Sequence, residues 1–211
     1  MLRCLLISFL LPAHSAFARE ALNCRHIPEI PGTFLCTGDD LVIHSAFSRA
    51  EFFVEHSHHS AHDLRSEDLN AFFAAADEAC KTYPDSCLNG DEIFLRRLVK
   101  KAELGFEKSV FLGIPRGIYL PFMISHELRH ARFFLNKNYH DVVVEFWNDL
   151  SGSQRGAVTR LLEKKYDVSV PDLLINEFQA YVLQDEPSRG LLGSIAYQYK
   201  SPLLRALGEN P

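Results

Sequence analysis

The sequence predicts an α+β fold, mostly helical with a small β-sheet, and three observations lead there. Three segments space their apolar residues at helical intervals and three more read as helices, short strand-like runs bounded by Gly and Pro lie between them, and the bulk composition is that of a globular chain. Of 211 residues, 47% are hydrophobic and 23% charged, and 16 Phe against 1 Trp suit a Phe-rich core. The formal charge is −5 and no basic cluster stands out, which argues against nucleic acid or an anionic membrane as partner.

The elements follow in chain order. Residues 1–18 read as a secretory signal: Arg3, an apolar run from Cys4 to Leu11 too short to span a bilayer, Pro12, and the small-x-small pattern Ala16-Phe17-Ala18. Cleavage after Ala18 leaves residues 19–211 as one domain, exported to a periplasm or the extracellular space, with no integral membrane segment. An uncleaved membrane anchor is the rival. Residues 19–40, punctuated by Pro28, Pro31, Gly32 and Gly38, read as irregular, followed by short strands at Leu41–Phe47 and Phe52–Glu55. A helix capped by Ser66, with Glu67 and Asp68 in its first turn, buries Leu69, Phe72, Phe73 and Ala76 and stops near Lys81. A second, capped by Asp91, turns Ile93, Phe94, Leu98 and Ala102 inward and ends at Gly105.

Ser109–Leu112 and Gly117–Leu120 read as strands. Pro121 opens a helix to Asn136 whose stripe is Ile124, Leu128, Ala131 and Leu135. Helices follow near Asp141–Leu150 and Ser153–Lys165, then a connector at Asp167–Val170, then a helix from Pro171 to Gln184. The tail from Leu191 receives no assignment.

Of the 5 Cys, the signal takes Cys4. The remaining Cys24, Cys36, Cys80 and Cys87 are an even set in an exported chain, which reads as disulfides. Local pairing, Cys24–Cys36 and Cys80–Cys87, is preferred among the three connectivities. A four-thiolate zinc site is the rival, without the close C-x-x-C pairs such sites usually have.

Chemistry concentrates in His126-Glu127-Leu128-Arg129-His130. Residues four apart on a helix share a face, so both imidazoles can bind one zinc ion, and Glu127 beside them can take a proton from water activated there. The core stripe occupies another side of the helix, so ligands and packing residues need not compete. The plainer alternative is a solvated helix face that carries two His.

Ser125–Ala131, and Asn176-Glu177-Phe178-Gln179-Ala180 more weakly, resemble the zincin metallopeptidases of the gluzincin branch. The resemblance implies a zincin-like domain holding one Zn²⁺ through His126, His130 and Glu177, with Glu127 as general base and a peptide or protein as substrate. Two departures stand out. Arg129 and Arg132 put charge where stricter versions of the pattern want none, and Tyr181 occupies the place where some gluzincins carry an Asp that orients a zinc-bound His.

Other residues are weaker candidates. Tyr181 and His140 are candidate oxyanion stabilisers, and Tyr181 is also a candidate supporter of a metal ligand. The Gly117–Leu120 strand could pair with an extended peptide along a cleft. His56, His58, His59 and His62 form a possible second metal cluster, or a His-rich surface loop. Two rival functions remain: a non-catalytic zinc-binding or interaction module on the same scaffold, and an amidase acting on cell-wall crosslinks.

Overall fold

The computed structural model describes residues 21–55, 61–83, 85–117 and 120–210. The signal expected at 1–18 lies outside them. The elements run β1 (Asn23–Ile27), β2 (Thr33–Gly38), α1 (Asp40–Glu55), β3 (His62–Arg65), α2 (Ser66–Ala79), α3 (Gly90–Ala102), β4 (Val110–Pro115), α4 (Leu120–Leu135), α5 (Lys137–Asp149), α6 (Gly152–Leu162), α7 (Pro171–Leu183), two 3₁₀ turns (Pro187–Arg189 and Gly193–Ile195) and α8 (Ala196–Ala206). The class is α+β: helices dominate, and the strands form one mixed sheet of order β1-β2-β4-β3. The pairs β1–β2 and β3–β4 are antiparallel, while β2–β4 is parallel. A parallel pair needs a long crossover, and the stretch from α1 to α3 provides it.

The sheet divides two apolar layers. Leu64 and Phe111 point to the side of α1, α2 and α3, where Val42, Phe47, Leu69, Phe73, Leu95 and Val99 are buried. Val110, Leu112 and Ile114 point to the other side, where Ala131 of α4 meets them and Ile124, Leu128 and Leu135 pack alongside. Covered on both faces, β4 is buried almost throughout. A third cluster joins Phe133 of α4 to α5, α6, α7 and α8 around Val143, Trp147, Leu162 and Phe178. Helix α4 is therefore held between the sheet and α7. Among the described residues, no helix is long and apolar enough to cross a membrane.

Several elements differ from the sequence reading. The apolar residues of 41–55 form α1 rather than two strands: Val42, Ile43, Ala46, Phe47 and Ala50 make one buried helical stripe, while Leu41 is 75% exposed. Asp39 starts that helix by accepting from the Val42 amide at 2.8 Å. The segment 19–40, read as irregular, contains the β1–β2 hairpin. Arg65 rather than Ser66 occupies the N-cap of α2. In α3 the cap is Asn89, which accepts from the Asp91 and Glu92 amides while Glu92 bonds back to the Asn89 amide. That register buries Leu95, Val99 and Ala102 and leaves Phe94 43% exposed. The expected strand at 117–120 gives way to the start of α4 at Leu120, with residues 118 and 119 outside the described set. The unassigned tail folds into the 3₁₀ turns and α8.

Both expected disulfides are present, Cys24–Cys36 and Cys80–Cys87. Cys24 and Cys36 face each other across the hairpin, Cα atoms 3.9 Å apart, and so tie β1 to the sheet. Removing this bridge with the pair Cys24→Ala and Cys36→Ala is expected to cost about 2–4 kcal/mol of unfolding free energy. A denaturant midpoint measured without reductant checks this, and an unchanged midpoint contradicts it.

Candidate metal centre

The site is built on the contact between α4 and α7. The sheet takes up the Ile124–Leu128–Ala131 side of α4, which leaves His126 and His130 facing α7. Helix α7 starts at Pro171 with Asp172 in its first turn, both suited to a helix N-terminus. It presents Asn176, Glu177, Tyr181 and, just past its end, Gln184.

The structure brings His126, His130 and Glu177 together. The two Nε2 atoms lie 3.1 Å apart. Glu177 Oε2 lies 3.6 Å from His126 Nε2, and Glu177 Oε1 lies 3.7 Å from His130 Nε2. All three are buried, as is Glu127. The Glu127 carboxylate shares a neighbourhood with Asp63 and His130, one oxygen or ring nitrogen from each lying within 4.8 Å of the others.

Around this set stand residues the sequence reading did not identify. Gln184 Oε1 lies 2.9 Å from His126 Nδ1. Asp63, on β3, puts Oδ2 4.0 Å from His130 Nδ1, and Asn176 adds a polar contact to the same ring. The Tyr166 hydroxyl lies against Glu177 and 2.8 Å from the Tyr181 hydroxyl. Gln184 carried one available signal, since positions 177, 181 and 184 follow helical spacing on one face. Asp63 carried none, because only the sheet brings β3 to α4.

The other sequence candidates fall in three places. Tyr181 packs its ring on His126, centroids 4.6 Å apart, and commits its hydroxyl to Tyr166. It thus supports His126 and Glu177 from outside rather than offering a free hydroxyl. His140 rests on Phe133 and turns Nδ1 toward Asp141 at 3.3 Å, so it is not part of the gathered group. Residues 56–60 lie outside the described set, which removes His56, His58 and His59 from view. His62 is buried on the α1 side of the sheet, stacked on Phe47 with Nδ1 3.1 Å from Glu51. Strand alternation sends its neighbour Asp63 to the opposite, α4 side. The charges at Arg129 and Arg132 find a local explanation: Glu209, beyond α8, accepts from both, at 3.0 and 2.7 Å.

Electrostatics follow from carboxylates crowded in a dry space. Burial raises the Glu127 carboxyl well above the usual range, with Asp63 and Glu177 adding to the effect. Burial also raises Asp63, to about 6, against the pull of His130. Burial works against a charge on His130, yet Asp63, Glu177 and Glu127 together lift it to about 9. Burial alone would raise Glu177, but His130, His126 and the Tyr166 hydroxyl hold it down at about 2. His126, dominated by burial, is lowered. The group as a whole has a surplus of negative charge that draws positive charge toward its centre.

The residues fit a divalent first-row metal. Two imidazoles and a carboxylate are a three-protein-ligand set that leaves a fourth position open. Glu177 Oε2 is buried with no hydrogen-bond partner. Gln184 Nε2 approaches the Glu186 and Pro187 carbonyls at 3.3 and 3.5 Å, which identifies its Oε1 as the acceptor for His126 Nδ1–H. The His126 Nε2 lone pair therefore points at His130 and Glu177, where a cation would sit.

Comparison of the chain with protein families, curated proteins and solved structures gives no match.

Proposed function

We propose that the chain is an exported zinc-dependent hydrolase, a peptidase of the HExxH type. One observation carries the reading: a carboxylate from a separate helix, Glu177, faces both motif imidazoles, while Glu127 lies beside them without being needed to complete the set. His126, His130 and Glu177 would hold the ion. When bound, zinc lowers the pKa of a water in its open position and polarises the carbonyl under attack. Glu127 accepts a proton from the attacking water and returns it to the leaving amine. Burial suits Glu127 to that work, since it makes the protonated form easier to reach. Gln184 accepts a hydrogen bond at the outward nitrogen of His126, and Asp63 sets a carboxylate 4.0 Å from that of His130. Two disulfides accord with an oxidising compartment.

Elemental analysis of the purified mature chain, followed by parallel assays on casein, short peptides and peptidoglycan, tests the reading. The expected result is one zinc per chain with cleavage of casein or peptides. Cleavage of peptidoglycan alone would identify the cell-wall amidase instead. Zinc without turnover on any of the three would leave a binding module, and a chain that takes up no metal would end the proposal.

A further inference from the structure

We infer that Gln184 is the positioning residue of His126, fixing its tautomer and the direction of its Nε2 lone pair. The inference deepens the metal-centre reading and rests on it. One turn beyond Glu177, the Tyr181 hydroxyl is bonded to Tyr166 and does not reach a His126 ring nitrogen. Gln184, less than one turn further on, meets the Nδ1 of His126 at 2.9 Å. The acceptor is a neutral amide rather than a carboxylate.

Gln184 is anchored on every side. It is fully buried. Its backbone N–H closes α7 on the Ala180 carbonyl, and its own carbonyl accepts from Lys200 Nζ at 2.9 Å. Its side-chain Nε2 faces the Glu186 and Pro187 carbonyls of the following turn. The next residue reinforces the link, since the Asp185 amide donates to Ser125 Oγ at 3.0 Å, immediately before His126 in α4. Gly190 lets that turn close over the pair. A Cβ at this position would come within 2.3 Å of Tyr181 Cδ1 and 2.6 Å of Gln184 Nε2. Both residues that a methyl there would strike lie against the His126 ring. A side chain held this firmly removes the freedom of an imidazole to flip or to carry its proton on Nε2.

The test uses the full mature chain, with zinc and cobalt(II) as probes. In the metal-free protein, imidazole ¹⁵N NMR, assigned with His126→Ala, should find the His126 proton on Nδ1. A proton on Nε2 would overturn the inference without any further variant. Gln184→Met keeps the length of the side chain and removes the acceptor. It is expected to raise the zinc dissociation constant by about 10- to 100-fold, to change the visible spectrum of the cobalt(II) form, and to release the tautomer. Gln184→Glu restores the acceptor for His126 but sets an oxygen against the Glu186 and Pro187 carbonyls, so it should recover part of the affinity lost in Gln184→Met, a rescue that lost packing alone would not produce. A folded Gln184→Met protein with unchanged zinc affinity overturns the inference and leaves the metal-centre reading standing. A wild-type chain that binds neither ion, yet loses the Nδ1 proton on Gln184→Met, ends the metal reading while the positioning of His126 stands.

Discussion

Glu127→Gln is expected to keep a full complement of zinc and to lose turnover by between about 100- and 10,000-fold, the usual contribution of a positioned general base. The substitution is close to isosteric, so the packing of α4 against the sheet should not change. Neither His126 nor His130 depends on Glu127 for its aim, since Gln184 and Asp63 face their outward nitrogens. What disappears is the group that takes and returns a proton. The variant should also be no less stable than wild type. Glu127 and Asp63 are carboxyl groups close together in a buried space, where burial first and then Asp63 and Glu177 raise the Glu127 pKa, and an amide at 127 carries no such penalty. Metal content by elemental analysis, turnover on the best substrate and a melting curve read the three parts separately. A fall in zinc content would instead make Glu127 a ligand. Asp63, Glu127 and His130 form a second grouping that could hold an ion, and that result would move the centre toward it.

How much of this was legible in the sequence depended on distance along the chain. The His126–His130 helix could be read because the candidate ligands and the packing stripe are both local and share one period. Glu177 could be read because a short motif on a second helix carried it. The disulfides could be read because each closes a short loop. Helix α1 departs from the strand reading for a physical reason: Leu41-Val42-Ile43 is an apolar run with two β-branched residues, and that local preference is overridden by a layer that buries one helical face of it. The β1–β2 hairpin was hidden by the Pro and Gly around it, although Cys24 and Cys36 already marked the residues that pair across it.

The outer support of the site was the least legible part. Asp63 reaches His130 only because β3 adds to the far edge of the sheet beside β4 and alternation turns Asp63 toward α4 while His62 turns away. Glu209 reaches Arg129 and Arg132 only after α8 has packed back on α7 and α5. Two arginines that look like departures from a motif thus become an anchor for the C-terminal segment. No local pattern encodes either contact, because both depend on the full crossover and on the third apolar cluster.

Glu177→Gln should produce the opposite pattern to Glu127→Gln: zinc is lost first, and activity goes with it. The change removes the negative charge from the ligand set but nothing from the proton-transfer group. Loss of a ligand should exceed the 10- to 100-fold cost typical of outer-shell changes, so zinc affinity is expected to fall by more than about 100-fold. The pH dependence should move as well. In the metal-free protein, Asp63, Glu177 and Glu127 lift His130 to about 9, so at neutral pH zinc must displace a proton from that ring. Wild-type affinity should therefore climb with pH through neutrality and level off near 9. With Glu177 neutralised, one of the carboxylates that raises His130 is gone, so the variant's weaker affinity should level off at a lower pH. Competition against a chelator of known affinity, repeated across the pH range, gives both the loss and the shift. Undiminished zinc affinity in the folded variant would remove Glu177 from the ligand set and require the third ligand to be sought at Asp63.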